Sequence, residues 1–472
     1  MKHYRLQSAY LADGWAANAV VSVSREGFIT HIHRDPVPAE FAAAGVEDVA
    51  GIVIPGMANA HSHAFQRAMA GNTEYRLSSQ DSFWTWRRSM YALANRIEPA
   101  DLQILAAQLF IEMLKAGYTS VAEFHYLHRQ PNGESYAGAN ELWQAVSQAA
   151  AVAGIGLTFL PTLYQTANFG GQALRSDQRR FETSTDDFLK AVEERLSGER
   201  RNPSSTCRTG IAFHSLRAVP LASLSRVTAA LRAMDAQAPI HIHVAEQSLE
   251  VTDCKAETGL RPIELLLGTG LLTDRWCLVH ATHATADELK GIAAAMASVC
   301  VSISTEANLG DGLFDTARFL GCGGRLCIGS DSQSTVSPAE ELRWLEYQQR
   351  LKKKRRGVLA TPAESHVGTR LWRDAAQHGA QAIGQPAGAI GVGLRADWVV
   401  LDPEHPSMVG AVAGTALDHL LFAGGESAIR DVMVAGREVI KARRHVAEDE
   451  LRPRFAALMA RLSLQQTPHE SS

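Results

Sequence analysis

Two histidines one residue apart, His61 and His63, stand in the stretch IPGMANAHSHAFQRAMAG, residues 54–71. Side chains at i and i+2 of an extended strand point to one side. A strand ending here therefore presents two imidazoles on one face, which is half of a metal site. The apolar run Gly51 to Ile54 precedes them, and Pro55 and Gly56 then interrupt regular structure. His-x-His by itself is a weak signal in a chain with eighteen histidines. It gains weight from what closes the other apolar runs: Glu123, His125 and Tyr126; His214 and Arg217; His241, His243 and Glu246; His280 and His283; and Asp331.

Neutral imidazole nitrogens and a carboxylate oxygen are the donors expected around zinc or another divalent first-row ion, with a position left for water. The ligand set read from the chain is His61, His63, His243 and Asp331. His241 and His243 would face the same way. His243 lies nearer the strand end and keeps Glu246 just beyond it, so His241 is assigned the deeper, structural position. A second ion would need a bridging group, usually a lysine, after the fourth strand. Phe213 and His214 stand there, which predicts one metal. A bound cation lowers the pKa of its water from about 15.7 to about 7. Asp331 is then placed to accept a proton from that water, Glu246 to shuttle it to a departing nitrogen, and His280 to hold the water or the developing tetrahedral centre. Each group alone would more often be a structural hydrogen-bonding residue; their gathering at successive strand ends is what points to catalysis.

The elements that must position them are eight strand-like runs alternating with amphipathic stretches. The runs are GIVIP, TSVAEF, IGLTFLPTL, TGIAFHS, PIHIHVAE, WCLVHATH, VCVSIST and RLCIGSD. Segments such as ADLQILAAQLFIEMLKAG and DELKGIAAAMA carry apolar residues at three- and four-residue spacing, as amphipathic helices do. This alternation predicts an α/β fold, a parallel (β/α)8 TIM-type barrel with its functional groups at the C-terminal strand ends. An open doubly wound sheet is disfavoured because no Gly-x-Gly-x-x-Gly follows the first strand. Residues 1–53 and 389–450 read as short strands and turns, and are expected to form together one small β-sandwich-like domain. The barrel is assigned 54–388, and a helix with a polar tail 451–472.

With 46% hydrophobic and 20% charged residues the chain has the composition of a soluble globular protein. A net charge of −4 gives no footprint for nucleic acid or an anionic membrane. The one basic block, Lys352 to Arg356, is read as a solvated helix end. Six scattered cysteines without Cys-x-x-Cys fit free thiols in a reducing cytosol. The absence of a signal-like start or an apolar run of ~18 residues makes a cytoplasmic location the expectation.

The motifs PGMANAHSHAFQR, HIHVAE, LVHATH and IGSD, in this order, resemble the amidohydrolase superfamily in its deaminase branch, over the whole chain. Within that branch HAFQRAMAGNTEYR, FWTWRRSMY, AEFHYLH, HSLRAVP, HIHVAEQSLEV, STEANLGDGLF and EELRWLEYQQRL are similar to the formimidoylglutamate deiminase family of histidine degradation. That resemblance implies hydrolysis of N-formimidoyl-L-glutamate to N-formyl-L-glutamate and ammonia at one divalent metal, usually zinc. It also implies substrate contacts at Gln66, Arg87, Tyr126, His214 and Arg217, with Glu246 as general acid/base. Arginine grips a carboxylate with two prongs, which suits a small diacid. Arg67, Arg76 and Arg88 are alternatives read as surface or packing residues. Assembly as a homodimer is expected. The sequence departs from the family pattern at Phe213, where a proline is expected, at the strand-seven string SISTEANLGDG, whose small polar residues stand where a Cys-Pro-Thr-type start is expected, and at Gln333, where a histidine is expected. A deaminase for another amidine, a guanidine or a nucleobase is the nearest rival. A catalytically silent barrel is disfavoured, because all four ligands and the acid are present.

Overall fold

A Pro-Gly step divides the chain's two sheets. The strand Glu47–Pro55 ends on Pro55, and the next strand, β1 (Met57–Ser62), belongs to a different sheet. The Gly56 amide is anchored on the Asp397 carbonyl at 3.3 Å, and a side chain at Gly56 would collide with Thr119. The run GIVIP is therefore not the first barrel strand, as its apolar β-branched texture led us to expect. The computed structural model describes residues 1–34, 45–74, 82–138 and 140–463. The polar end of the tail expected after the last helix lies outside them, as does Arg76.

From β1 the barrel continues through β2 (Tyr118–His125), β3 (Gly156–Leu163), β4 (Ile211–Ser215), β5 (Ile240–Val244), β6 (Trp276–His280), β7 (Ser298–Val301) and β8 (Arg325–Ile328). Neighbours in the chain are neighbours in the sheet, and all pair in parallel. The ring closes between β8 and β1, where Ser62 bridges Asp331 and the amides of Ser330 and Asp331 both donate to the His61 carbonyl at 3.0 Å. The strands are apolar on both faces because helices cover the outside and side chains fill the inside. The helix Pro99–Ala116 shows how the sequence sets an element. Proline occupies its first turn, Glu98 and Asp101 form a reciprocal cap, and Gly117 at φ 100° ends it and delivers the chain into β2.

Among the described residues the other sheet has eight strands, drawn from both ends of the chain. Trp398–Leu401 runs antiparallel beside Glu47–Pro55, which itself lies parallel to Lys2–Leu11. The seventh barrel run was expected to be a strand to residue 305. It is a strand only to Val301, and Ile303–Leu309 is a short helix, its start held by the Glu306 carboxylate accepting from the Ser302 amide at 3.1 Å. Among the described residues no helix is long and apolar enough to cross a membrane, and the six cysteines are free. Residues 352–356 are exposed, the first two in the last turn of the helix Pro338–Lys353 and the rest just beyond it.

Candidate metal and active site

His61 is the last but one residue of β1, and His63 follows the strand. His243 sits near the end of β5, and Asp331 just after β8. All four are buried. His61 Nε2 lies 3.1 Å from His243 Nε2 and 3.3 Å from Asp331 Oδ1, and His63 Nε2 lies 3.5 Å from that same oxygen. The other ring nitrogens decide the tautomers. His63 Nδ1 is 2.8 Å from the Phe124 carbonyl, and His243 Nδ1 is 2.8 Å from the His214 carbonyl. A carbonyl only accepts, so both Nδ1 atoms carry the proton and both Nε2 atoms present bare lone pairs. Burial holds the rings of His61 and His243 below the ordinary histidine range and takes His63 down to about 3. Burial works to raise the Asp331 carboxyl, yet His61, His280 and His63 hold it below the usual carboxylate range. Among the described residues the possible donor atoms form two trios that share His61, His61–His63–Asp331 and His61–His243–His280, a gathering of lone pairs and a carboxylate that a cation relieves. The donor set fits a divalent metal.

Beside this cluster stand two acids and one more imidazole. His280 Nε2 lies 3.6 Å from Asp331 Oδ2 and 3.8 Å from Glu246 Oε1. Burial pushes Glu246 up to about 7, with Asp331 adding to the rise. For His280 burial works against the charged form, but Glu246, Glu306 and Asp331 outweigh it and lift the ring to about 10. The turns that present these groups are strained. Ala245, His280, Ala281, Asp331 and Gln333 all have positive φ, between 47° and 70°, where non-glycine residues are uncommon.

Opposite lies a wall of donors. The helix Phe83–Ala94 brings Arg87 in, its Nη2 3.3 Å from the Tyr164 hydroxyl and its guanidinium 5.1 Å from the centre of the Tyr91 ring and 5.4 Å from that of Trp84. Arg217, after β4, stands 5.8 Å from the same Trp84 ring, with its Nε buried and without a partner. Among the described residues neither guanidinium pairs with a carboxylate, although Arg87 is 8% and Arg217 4% exposed. A buried charge without a counter-ion is costly, so the wall is built for an anion. Gln66 Nε2 donates to the Tyr126 hydroxyl at 2.8 Å, which leaves Gln66 Oε1 unpartnered.

One cleft is lined by His63, Gln66, Arg87, Tyr126, His214, Arg217, His243, Glu246, His280 and Asp331, and His61 lies 3.1 Å from His243 through its Nε2. That is every site residue read from the sequence. His241 is not among them; its Nε2 is 2.9 Å from the Ala382 carbonyl at the other end of β5. His125 is occupied by the Leu127 carbonyl at 2.7 Å. Arg67 pairs with Glu112, and Arg88 is exposed. Of the departures, Phe213 stacks in the core on Trp276, and Gln333 donates to Ser62 Oγ at 3.1 Å and to the Asp331 carbonyl at 2.6 Å. Gln333 thereby ties the two strand ends that carry His61, His63 and Asp331. The sequence reading named Glu123 without giving it a role, although it accepts from Ser62 Oγ and the Ala64 amide, and it did not single out Glu306 behind His280. The buried acid in AEFHY was the available signal for the first.

Residues 52–439 match the profile of the amidohydrolase family. The formimidoylglutamate deiminase of Pseudomonas aeruginosa is 46% identical over 456 residues, 97% of this chain and 98% of its own. A solved amidohydrolase from Brucella melitensis superposes with a TM-score of 0.91 at 39% identity, across 98% of this chain and 100% of that one. An adenosine deaminase from Xanthomonas campestris, solved with bound zinc, has a TM-score of 0.79 at 20% identity over 98% of both chains, a likeness in fold alone. A closed parallel barrel with histidines and an aspartate gathered at its strand ends, matched by the family profile over most of its length, places this chain in the amidohydrolase family.

Proposed function

We propose that the chain hydrolyses N-formimidoyl-L-glutamate to N-formyl-L-glutamate and ammonia with the help of one divalent cation, zinc before others, held by His61, His63, His243 and Asp331. The observation that carries the reading is a pair of nearly buried arginines without acid partners, facing a cluster of bare imidazole nitrogens across one small cleft. The Pseudomonas relative supports the choice of substrate. When bound, the cation supplies the Lewis acidity that makes water a nucleophile at neutral pH. The protein does the rest. Arg87 and Arg217 grip the two carboxylates, helped by His214 and Tyr126. Gln66, its amide nitrogen taken by Tyr126, offers its free oxygen to the N–H of the formimidoyl group. Asp331 accepts the proton of the attacking water, and His280 holds that water toward the carbon. Glu246, near 7 and so able to hold or release a proton at neutral pH, protonates the departing nitrogen, which leaves as ammonia. The proposal includes a homodimer in the cytoplasm.

Purified protein is assayed for ammonia release from N-formimidoyl-L-glutamate, its aspartate analogue and a panel of nucleobases. Turnover of the glutamate compound, lost on chelation and restored by zinc, is the expected result. Activity that survives complete metal removal, or that favours a nucleobase, contradicts the reading.

A further inference from the structure

We propose that Glu306 is a positioning residue for the reaction: its carboxylate fixes the His280 ring so that Nε2, and not Nδ1, faces the reacting atoms. The inference rests on the assignment of His280 given above. Glu306 belongs to the short helix Ile303–Leu309 and is fully buried. Its Oε1 accepts from the Ser302 amide at 3.1 Å and lies 3.3 Å from His280 Nδ1. Its Oε2 has no partner among the described residues, and no lysine or arginine there pairs with it. Burying a carboxylate with so few partners is unfavourable, and an apolar side chain would fill the same volume without that penalty. What the acid does accomplish is visible at the ring. With Nδ1 committed to the carboxylate, the opposite nitrogen is aimed at Glu246 and Asp331. The backbone does not set that aim alone, because His280, the last residue of β6, has φ 70° and leads into Ala281 at φ 50°, a left-handed turn. The ring needs an anchor, and Glu306 is the group in contact with Nδ1.

The test compares wild type, Glu306→Ala and Glu306→Gln, with metal content measured in each. The glutamine oxygen can still accept from both Ser302 and His280, so the pair separates the acceptor from the rest of the side chain. Loss of such an outer hydrogen bond typically costs about 10- to 100-fold in activity or metal affinity. For Glu306→Ala the expectation is a fall in kcat of at least about ten-fold, KM within about two-fold, and unchanged metal content. Glu306→Gln should recover most of the turnover. A downfield ring N–H proton resonance, assigned by its absence in His280→Ala, should be present in wild type and Glu306→Gln and absent in Glu306→Ala. In the His280→Ala background, Glu306→Ala should lower kcat no further. If the alanine variant does not fold, Glu306→Leu carries the same expectations. A kcat within about two-fold of wild type in the alanine or leucine variant overturns the proposal. So does a fall that tracks metal loss, or a glutamine variant no better than alanine. Wild type that releases no ammonia from formimidoylglutamate fails the functional assignment instead, and the ring resonance still reports on the Glu306–His280 contact.

Discussion

Glu246 is the residue on which proton traffic turns. Its Oε1 lies 3.8 Å from His280 Nε2, and it forms no ion pair with His61, His63 or His243 among the described residues. Glu246→Gln should therefore keep one metal per chain while kcat falls by about 10²- to 10⁴-fold, the usual contribution of a positioned acid or base. Steady-state kinetics beside metal analysis checks this, and a near-normal kcat would remove Glu246 from the role. Arg217 stands at the other side of the cleft with an unpartnered Nε. Arg217→Met should raise KM by at least about ten-fold, since a lost charge-assisted hydrogen bond is worth about 1.5–3 kcal/mol. Metal content should not change. An unaltered KM would show that another group holds the carboxylate.

At the scale of elements, the proposed ligands depend on how closely β8 approaches β1. A β-carbon on Gly329 would lie 2.7 Å from the His61 β-carbon and carbonyl oxygen and 2.9 Å from its amide nitrogen. These atoms cannot give way without moving the strand end that carries two imidazoles. Gly329→Ala should weaken metal binding by about 10- to 100-fold, as losses of ligand orientation do; competition with a chelator measures it, and unchanged affinity would contradict the packing argument. This scale also separates what was legible in the sequence from what was not. His61, His63, His243 and Asp331 could be read because each closes an apolar run, and a parallel barrel delivers such positions to one rim. Glu306 could not. The run VCVSIST has the β-branched texture of a strand to its last residue, yet the chain turns into a helix after Ser302 and carries Glu306 back over His280. Periodicity was equally silent on GIVIP, since a buried strand looks the same whichever sheet it joins.

For the molecule as a whole, two sheets are built from one chain, and its ends meet because Trp398–Leu401 pairs with Glu47–Pro55. The return of β texture near residue 400 made that pairing readable; the register was not. Burial also leaves a mark on overall stability. Glu341, fully buried and bonded to the amide and hydroxyl of Ser304, is pushed up to about 8. Between the ordinary carboxylate value and about 8 the folded chain then binds more protons than the unfolded one, so stability drops as pH rises through that window. The difference in melting temperature between wild type and Glu341→Gln should shift against wild type from pH 5 to pH 8; a difference that does not change with pH would contradict the assignment.

The central claim is that four side chains distant in sequence share one cation. Anomalous difference maps recorded across the zinc absorption edge, from crystals of the purified protein, test it most directly. The account predicts a single peak per chain, bound by Nε2 of His61, His63 and His243 and by a carboxylate oxygen of Asp331. No peak there, a second ion beside it, or one of the four standing outside the coordination sphere would contradict it.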